Sequence, residues 1–179
     1  MCTTGLKKLY GHTHNEQTFC ELDELYWFVE RKPKTKTREN VYLITMASRN
    51  PRQIVGFDVA RDTSPARVQA IVDSAPDAKY YCTDGDLACI NAVYPGYHVR
   101  NPANKDDTFT VEGVNAGLRH YIPILARCSR CFARKIDTLY AVVDIFVEAY
   151  NRFGEAKSKF RHGRKRKSRE LPFSVLDFL

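Results

Sequence analysis

The sequence predicts an α/β domain with a mixed sheet. Three apolar, strand-like runs follow one another between residues 18 and 60, and short polar segments separate them. A segment with helical periodicity then leads to a fourth strand-like run, and two further helical stretches follow. Because a strand reached through a helical crossover is most simply parallel to a neighbour in its sheet, we expect an antiparallel three-strand meander joined to parallel strands and flanked by helices.

The first strand-like run, residues 18–29, is rich in aromatic and aliphatic side chains but contains three acids, Glu21, Asp23 and Glu24. Burying a carboxylate without a partner costs several kcal/mol, and a bound cation is the simplest compensation. Strand alternation places Glu21 and Asp23 on one face and Glu24 on the other, so Asp23 and Glu24 are not expected to serve the same site. The alternative is an edge strand whose acids are solvated.

The next three segments complete the predicted meander. Residues 31–38 contain a proline and five cations, which predicts a hairpin loop. Lys34 and Lys36 in this loop suit phosphate contacts, and the alternative is a solvated loop. The almost continuously apolar residues 41–47 predict a strand covered on both faces, and residues 54–60 return antiparallel to it.

A helix and a parallel strand follow the meander. Pro65 predicts the first turn of a helix that ends before Pro76, and residues 78–83 predict a strand. Asp84 ends this strand directly and is followed by a glycine, and Asp86 lies two residues further on. Acids in this position occupy the usual ligand location of an α/β sheet, and we prefer Asp84 to Asp86 as the functional carboxylate.

The remaining elements are a short helix over 87–93, a brief strand over 97–100 and two longer helical stretches. The first stretch runs from Val111 through residue 125 and beyond, and its two interior glycines each cost about 1 kcal/mol relative to alanine. That cost indicates a backbone packed closely against another element. The second stretch, residues 136–153, carries an apolar stripe at helical spacing.

The charge distribution divides the chain into three parts. The net charge is +7, and the segment from Lys157 to the end contains eight basic and two acidic residues. We therefore predict a polar arm over residues 1–16, a folded body over 17–154 and a basic tail over 155–179. Arg164, Lys165, Arg166 and Lys167 form the densest part of the tail, which suits non-specific, salt-sensitive binding of DNA.

The six cysteines are scattered, and neither an apolar leader nor a membrane-length apolar run is found. These features predict a cytosolic protein with reduced thiols and no membrane association. Cys128 and Cys131 form a single CxxC pair without a second pair at zinc spacing, so zinc binding or redox use is the less favoured interpretation.

The predicted element order is that of the ribonuclease H-like fold. In this arrangement the middle of the first strand and the end of the fourth lie side by side, which brings Asp23 and Asp84 together. Glu112 begins the helix after the fifth strand and would face them, and the amino terminus of a helix favours a carboxylate there.

Three convergent carboxylates predict a site for hard divalent cations. Mg²⁺ or Mn²⁺ takes oxygen ligands and leaves positions open for water and phosphate oxygens. Two such ions about 3.5–4 Å apart would activate the attacking oxygen and stabilise the leaving oxygen at phosphorus. Asn115 and Arg119 share the helix face of Glu112, and we expect them to position the DNA backbone.

The residues that form these elements resemble the DDE transposases of the insertion sequence one family over about residues 18–153. The motifs that carry the resemblance are residues 21–29 (ELDELYWFV), 81–84 (YCTD) and 125–127 (LAR), together with Val111, Glu112, Asn115, Leu118, Arg119, Cys131 and Phe132. The resemblance implies a catalytic, metal-binding triad of Asp23, Asp84 and Glu112. It also implies the chemistry of a transposable element: DNA recombination by nicking of transposon ends and joining of their 3′-hydroxyls to target DNA.

The sequence departs from this family before residue 18, where no zinc-ribbon or helix-turn-helix region is found. The chain is then either the catalytic frame of a two-frame element or a truncated copy. In the first case we expect a partner that supplies such a DNA-binding region from a separate reading frame, with the chain acting as a homo-oligomer on double-stranded DNA of the nucleoid. Two alternatives remain open. One is a non-catalytic DNA-binding or regulatory remnant of a transposase, and the other is a nuclease of the same fold that cuts without joining.

Overall fold

The computed structural model describes residues 17–29, 40–84, 86–100, 107–125 and 133–162. Within these ranges the chain forms five strands, four α-helices and one short 3₁₀ helix. In chain order they are β1 (Gln17–Phe28), β2 (Asn40–Ser48), β3 (Gln53–Ala60), α1 (Pro65–Ser74), β4 (Ala78–Thr83), α2 (Leu87–Ile90), β5 (Tyr97–Arg100), α3 (Phe109–Tyr121), the 3₁₀ helix Pro123–Leu125 and α4 (Ile136–His162).

The five described strands form one mixed sheet in the order β3-β2-β1-β4-β5. β1 and β3 each pair antiparallel with β2, whereas β4 pairs parallel with both β1 and β5. The predicted α/β class and mixed sheet are therefore confirmed. The strand order and directions are compatible with the ribonuclease H-like fold.

Helices cover both faces of the sheet. On one face, here called the α3 face, Leu25 and Leu43 pack in a core cluster with residues of α3 and α4. On the opposite face, the α1 face, Leu22 and Ile44 pack in a second cluster with α1 and α2. β2 is buried on both faces, as its continuous apolar run predicts.

Strands β4 and β5 begin and end where the sequence predicts, and α1 ends before Pro76 as predicted, whereas the other three helices differ at their carboxyl ends. α2 ends at Ile90 instead of residue 93, because the backbone N–H and C=O of Val93 bond to the side chain of Gln69 on α1. α3 ends at Tyr121, since the residue before Pro123 is disfavoured in a helical conformation. The predicted continuation of this helix through residue 125 is therefore wrong, and its predicted extension past that residue lies outside the described ranges.

Helix α4 is longer than predicted. It runs to His162 instead of residue 153, and so crosses the predicted boundary between the body and the basic tail. The added turns include Glu155, Ala156, Lys157, Lys159 and Arg161, and the helix propensity of these residue types sustains the helix after the apolar stripe ends. No helix in the described ranges is both long enough and apolar enough to cross a membrane.

Two side-chain contacts fix the helices of the α3 face to the sheet. The Asn151 amide on α4 accepts a hydrogen bond from the Ile54 N–H at 2.8 Å and donates one to the Ile54 C=O at 2.9 Å, which satisfies the backbone of edge strand β3. At Gly113 on α3, an added Cβ would lie 2.5 Å from Nη2 of Arg52. The close packing that the interior glycines predict is thus found at Gly113, where Arg52 lies against the helix backbone.

Candidate metal centre

The centre forms where the sheet opens between β1 and β4. Pairing between these strands ends at Leu22 and Thr83, whereas β1 remains paired with β2 as far as Phe28. Asp23 and Glu24 therefore follow the last residue of β1 that has a neighbour on the β4 side, and Asp84 directly follows the last paired residue of β4. The local ending of the ladder leaves a gap that side chains from both faces reach.

Three carboxylates converge on this gap. One oxygen atom each from Asp23, Glu24 and Asp84 lies within 4.8 Å of the other two. Asp23 and Glu24 are partly buried, and Asp84 is exposed. The expectation that Asp23 and Glu24 cannot serve one site is wrong. Their side chains still leave opposite faces of β1, as strand alternation requires. Because no β4 residue lies beside β1 at this point, both side chains can reach the same gap.

Asp23 is held from the α3 face. Its Oδ2 accepts a hydrogen bond of 2.8 Å from Nδ2 of Asn115, which is only 5% exposed. Burial raises the pKa of Asp23, and the negative charges of Asp84 and Glu112 raise it further, while the bond from Asn115 lowers it. The amide of Asn115 thus orients Asp23, and its predicted contact with the DNA backbone stays a prediction.

Glu24 is held from the α1 face. Its Oε1 accepts a hydrogen bond of 3.3 Å from the thiol of Cys89 on α2. Burial is the main cause that raises the pKa of Glu24 to about 7, and the nearby charges of Asp86, Asp84 and Asp23 add to it. Burial and the charge of Glu24 also raise the pKa of Cys89, so this thiol keeps the proton that it donates.

The structure gives Asp84 and Asp86 different positions. Asp84 belongs to the group of three carboxylates, and its Oδ1 also accepts a hydrogen bond of 3.2 Å from the Asp86 N–H. The Oδ1 of Asp86 accepts a bond of 2.8 Å from the Ala88 N–H at the start of α2. Asp86 therefore caps the short helix, and Asp84 is the acid that faces Asp23 and Glu24.

Glu112 lies nearby but outside the group of three. It is exposed in the first turn of α3, and its charge contributes to the raised pKa of Asp23. It is not among the carboxylates that lie within 4.8 Å of one another. The triad of Asp23, Asp84 and Glu112 therefore remains a prediction, as does the contact of the half-buried Arg119 with DNA. The other predicted DNA-binding residues lie outside the described ranges: Lys34, Lys36, Arg164, Lys165, Arg166 and Lys167.

The fully buried Glu21 links strand β1 to helix α3. Its Oε1 accepts a hydrogen bond of 2.5 Å from Nε of Arg49, and its Oε2 accepts bonds of 2.7 and 2.9 Å from the N–H groups of Thr110 and Val111. These N–H groups belong to the first turn of α3, where the helix dipole also favours a carboxylate. The cation that this buried acid requires is thus Arg49, which also donates a hydrogen bond of 2.9 Å to the Asp107 carbonyl.

The donor set of the gap fits a hard divalent cation. Three carboxylates offer only oxygen ligands, the type that Mg²⁺ and Mn²⁺ prefer. Two further oxygens on the α3 face, Oδ1 of Asn115 and Oγ1 of Thr45, are buried and have no hydrogen-bond partner among the described residues. Thr45 pairs with Asp23 across the β1–β2 ladder, so these acceptors suit the water molecules that Mg²⁺ retains.

Sequence reasoning missed the roles of Glu24, Cys89 and Arg49. Glu24 would be recognised only from the residue at which β1–β4 pairing ends, and this register is not visible in the sequence. Cys89 follows from the same geometry, because α2 places it beside Glu24. For Arg49 the one signal is indirect, since the acid-containing strand predicts that some cation compensates a buried carboxylate.

No protein-family model and no curated protein matches the chain. Among solved structures, it is similar to a chain in the cryo-EM structure of the simian T-cell lymphotropic virus intasome in complex with the PP2A regulatory subunit B56 gamma. The two chains are 12% identical and superpose with a TM-score of 0.44, over 59% of this chain and 39% of the other. A likeness of this size carries no argument about chemistry.

Proposed function

We propose that this chain is a metal-dependent DNA transposase of the DDE type, which cleaves phosphodiester bonds at transposon ends and joins the ends to target DNA. The observation that carries the proposal is the convergence of Asp23, Glu24 and Asp84 at the gap between β1 and β4. The motif resemblance to insertion sequence one transposases supports the choice of DNA strand transfer within the wider class of phosphoryl transfer.

Each residue of the centre has a proposed role. Asp23, Glu24 and Asp84 would hold Mg²⁺ or Mn²⁺, and Glu112 would supply the further carboxylate that a second ion requires. When bound, these ions would lower the pKa of the attacking hydroxyl or water and stabilise charge on the leaving oxygen. Asn115 orients Asp23 through its hydrogen bond.

The proposed partners follow from charge and from the resemblance. The basic tail would contact the phosphates of double-stranded DNA without reading its sequence. Recognition of transposon ends would come from a separate DNA-binding protein, and a homo-oligomer would hold the two ends. The proposed location is therefore the nucleoid in the cytoplasm.

Isosteric removal of one charge at a time tests the proposal. We expect Asp23→Asn, Glu24→Gln, Asp84→Asn and Glu112→Gln each to lower Mg²⁺-dependent cleavage by about 100-fold or more, because each removes an ion ligand. Asp86→Asn is the matched control, since this neighbouring acid caps α2 and should leave cleavage within a few-fold of the unaltered protein. Direct titration with Mn²⁺ should show weaker binding in the four variants and not in the control.

A joining assay with pre-cut DNA ends separates the alternatives. Cleavage without joining would indicate a nuclease, and salt-sensitive DNA binding without turnover at any Mg²⁺ or Mn²⁺ concentration would indicate a regulatory DNA-binding protein. Full activity of Glu24→Gln beside three inactive variants would remove Glu24 from the ligand set. It would leave the triad that the sequence predicts.

A further inference from the structure

A row of stacked planar side chains crosses the α3 face at the amino-terminal end of β1. Strand register aligns Phe19, Tyr80 and Tyr97 on β1, β4 and β5. Their ring centroids are 4.8 Å and 5.8 Å apart, and the ring planes are inclined by only 19° and 29°. The guanidinium of Arg49 continues the row, since it lies 4.8 Å from the ring centres of both Phe19 and Phe109. We call these five side chains the aromatic row.

The row has an accessible end at Tyr97. β5 is one of the two edge strands of the described sheet, and Tyr97 is 69% exposed. Tyr80 is its ring partner, and the described residues provide no second ring against Tyr97. Because the rings stack nearly parallel, the face of Tyr97 turned away from Tyr80 points beyond the edge of the described sheet. A further planar group would continue the stack there.

The chemistry of the row suits a nucleobase attached to a phosphate backbone. A cation accompanies the rings, since Nζ of Lys79 lies 5.4 Å from the ring centre of Tyr80, while the charge of Arg49, between two phenyl rings, is paired with Glu21. Exposed aromatic rings combined with cationic side chains are the feature by which proteins bind single-stranded nucleic acid. Every base has a flat π-face, so such a site tolerates different sequences.

The position of the row relates it to the candidate metal centre. Phe19 lies four residues before Asp23 on β1, and Tyr80 lies four residues before Asp84. Phe19, Tyr80 and Asp23 share the α3 face and Asp84 directly follows β4, so strand geometry places the row about 13 Å from the carboxylates. That distance is close to the rise of four stacked nucleotides at about 3.4 Å each.

We propose that the aromatic row binds an unpaired base of the nucleic-acid strand whose backbone passes the carboxylates of Asp23 and Asp84, and that this base stacks on the free face of Tyr97. The link to a strand at the metal centre rests on the proposed function. The stacking itself does not, since it requires only the aromatic row and Lys79.

Base stacking can be measured without catalysis. The test uses the full chain in EDTA and a single-stranded oligonucleotide that contains 2-aminopurine, a base whose fluorescence is quenched by stacking. We expect quenching on binding, and we expect Tyr97→Ala to weaken binding by about 5- to 150-fold. Tyr97→Phe and Tyr97→Trp should retain both binding and quenching. Tyr26→Ala is the matched control, since Tyr26 is 44% exposed on the α1 face of the same sheet.

Three results would overturn the proposal. The first is that Tyr97→Ala binds the oligonucleotide with the affinity and quenching of the unaltered protein. The second is that Tyr97→Phe loses as much affinity as Tyr97→Ala. The third is that the unaltered chain does not bind single strands. The third result would also overturn the proposal if the row bound a protein segment and not the oligonucleotide. Asp84→Asn separates this proposal from the catalytic one, because it should abolish cleavage and keep the quenching. Cleavage that persists in Asp84→Asn would contradict the catalytic role and leave the stacking result intact.

Discussion

At the scale of single residues, Asp23 and Glu24 are adjacent acids whose pKa values are both raised. In each case burial is the first cause, and the charges of neighbouring carboxylates add to it. Full ionisation of both Asp23 and Glu24 is therefore unfavourable in the metal-free protein. A divalent cation would reverse this effect by favouring the charged forms.

The raised pKa of Glu24 predicts that metal-free protein loses stability as pH rises. The pKa of Glu24 is about 7 in the folded chain, and its ordinary value, taken for the unfolded chain, is 4.5. Between these pH values the folded state therefore binds more protons than the unfolded state. The free energy of unfolding should fall between about pH 4.5 and pH 7, by at most about 3 kcal/mol from this residue. Urea unfolding in EDTA at several pH values measures the change.

Glu24→Gln should flatten this pH dependence, because the amide accepts the Cys89 hydrogen bond without ionising. Asp73→Asn, at an exposed acid on α1, serves as the control and should leave the slope unaltered. The pH assignment fails if Glu24→Gln keeps the slope of the unaltered protein. Added Mg²⁺ should stabilise the unaltered protein more at pH 8 than at pH 5.

At the scale of secondary-structure elements, the joint between β1 and α3 determines which side chains meet at the centre. Glu21 lies two residues before Asp23 on β1 and bonds to the first turn of α3, the helix that carries Glu112 and Asn115. Arg49, directly after β2, completes the joint. One buried carboxylate thus sets the distance between the strand and the helix that supply the centre.

Glu21→Gln should destabilise the fold by about 3–5 kcal/mol, because it leaves Arg49 without its charge partner and turns an amide N–H₂ toward other donors. Urea unfolding at pH 7 measures this loss. The surviving folded protein should also bind Mn²⁺ more weakly, since displacement of α3 moves Asn115 from Asp23.

The matched control for this joint is Glu148→Gln on α4. Glu148 pairs with Arg152 at the helix surface, and such pairs contribute only about 0.3–0.5 kcal/mol. A loss at Glu21 no larger than the loss at Glu148 would show that the joint does not stabilise the fold.

At the scale of the whole molecule, positive charge is concentrated at the carboxyl-terminal end. Residues 157–179 carry a net charge of +6 within a total of +7, so the rest of the chain is almost neutral. The acids of the candidate metal centre belong to this nearly neutral part. General attraction to DNA and chemistry at the centre are therefore expected to reside in different parts of the chain.

Replacement of Arg164, Lys165, Arg166 and Lys167 by glutamine tests this separation. The slope of log affinity for double-stranded DNA against log salt concentration should become less steep by up to about 4 units, because fewer counterions are released. Cleavage measured with saturating DNA at low salt should stay within a few-fold of the unaltered protein. An unaltered salt slope would place the DNA-binding charge elsewhere in the chain.

The sequence by itself determined the mixed sheet, the order of its elements and the bounds of β4 and β5. Periodicity, proline positions and strand-forming residues are local, so they fix local structure without knowledge of the neighbours. The sequence also indicated that the buried negative charges of β1 need a partner. It did not indicate which residues are the partners.

Only the tertiary structure decided how these acids are used. β1–β4 pairing ends at Leu22, which lets Glu24 join Asp23 despite strand alternation, while Arg49 and α3 together bind Glu21. These outcomes depend on the register between strands far apart in the chain and on which helix covers which face. Such long-range pairings are set by the packing of the whole domain, and residue spacing along one strand does not contain them.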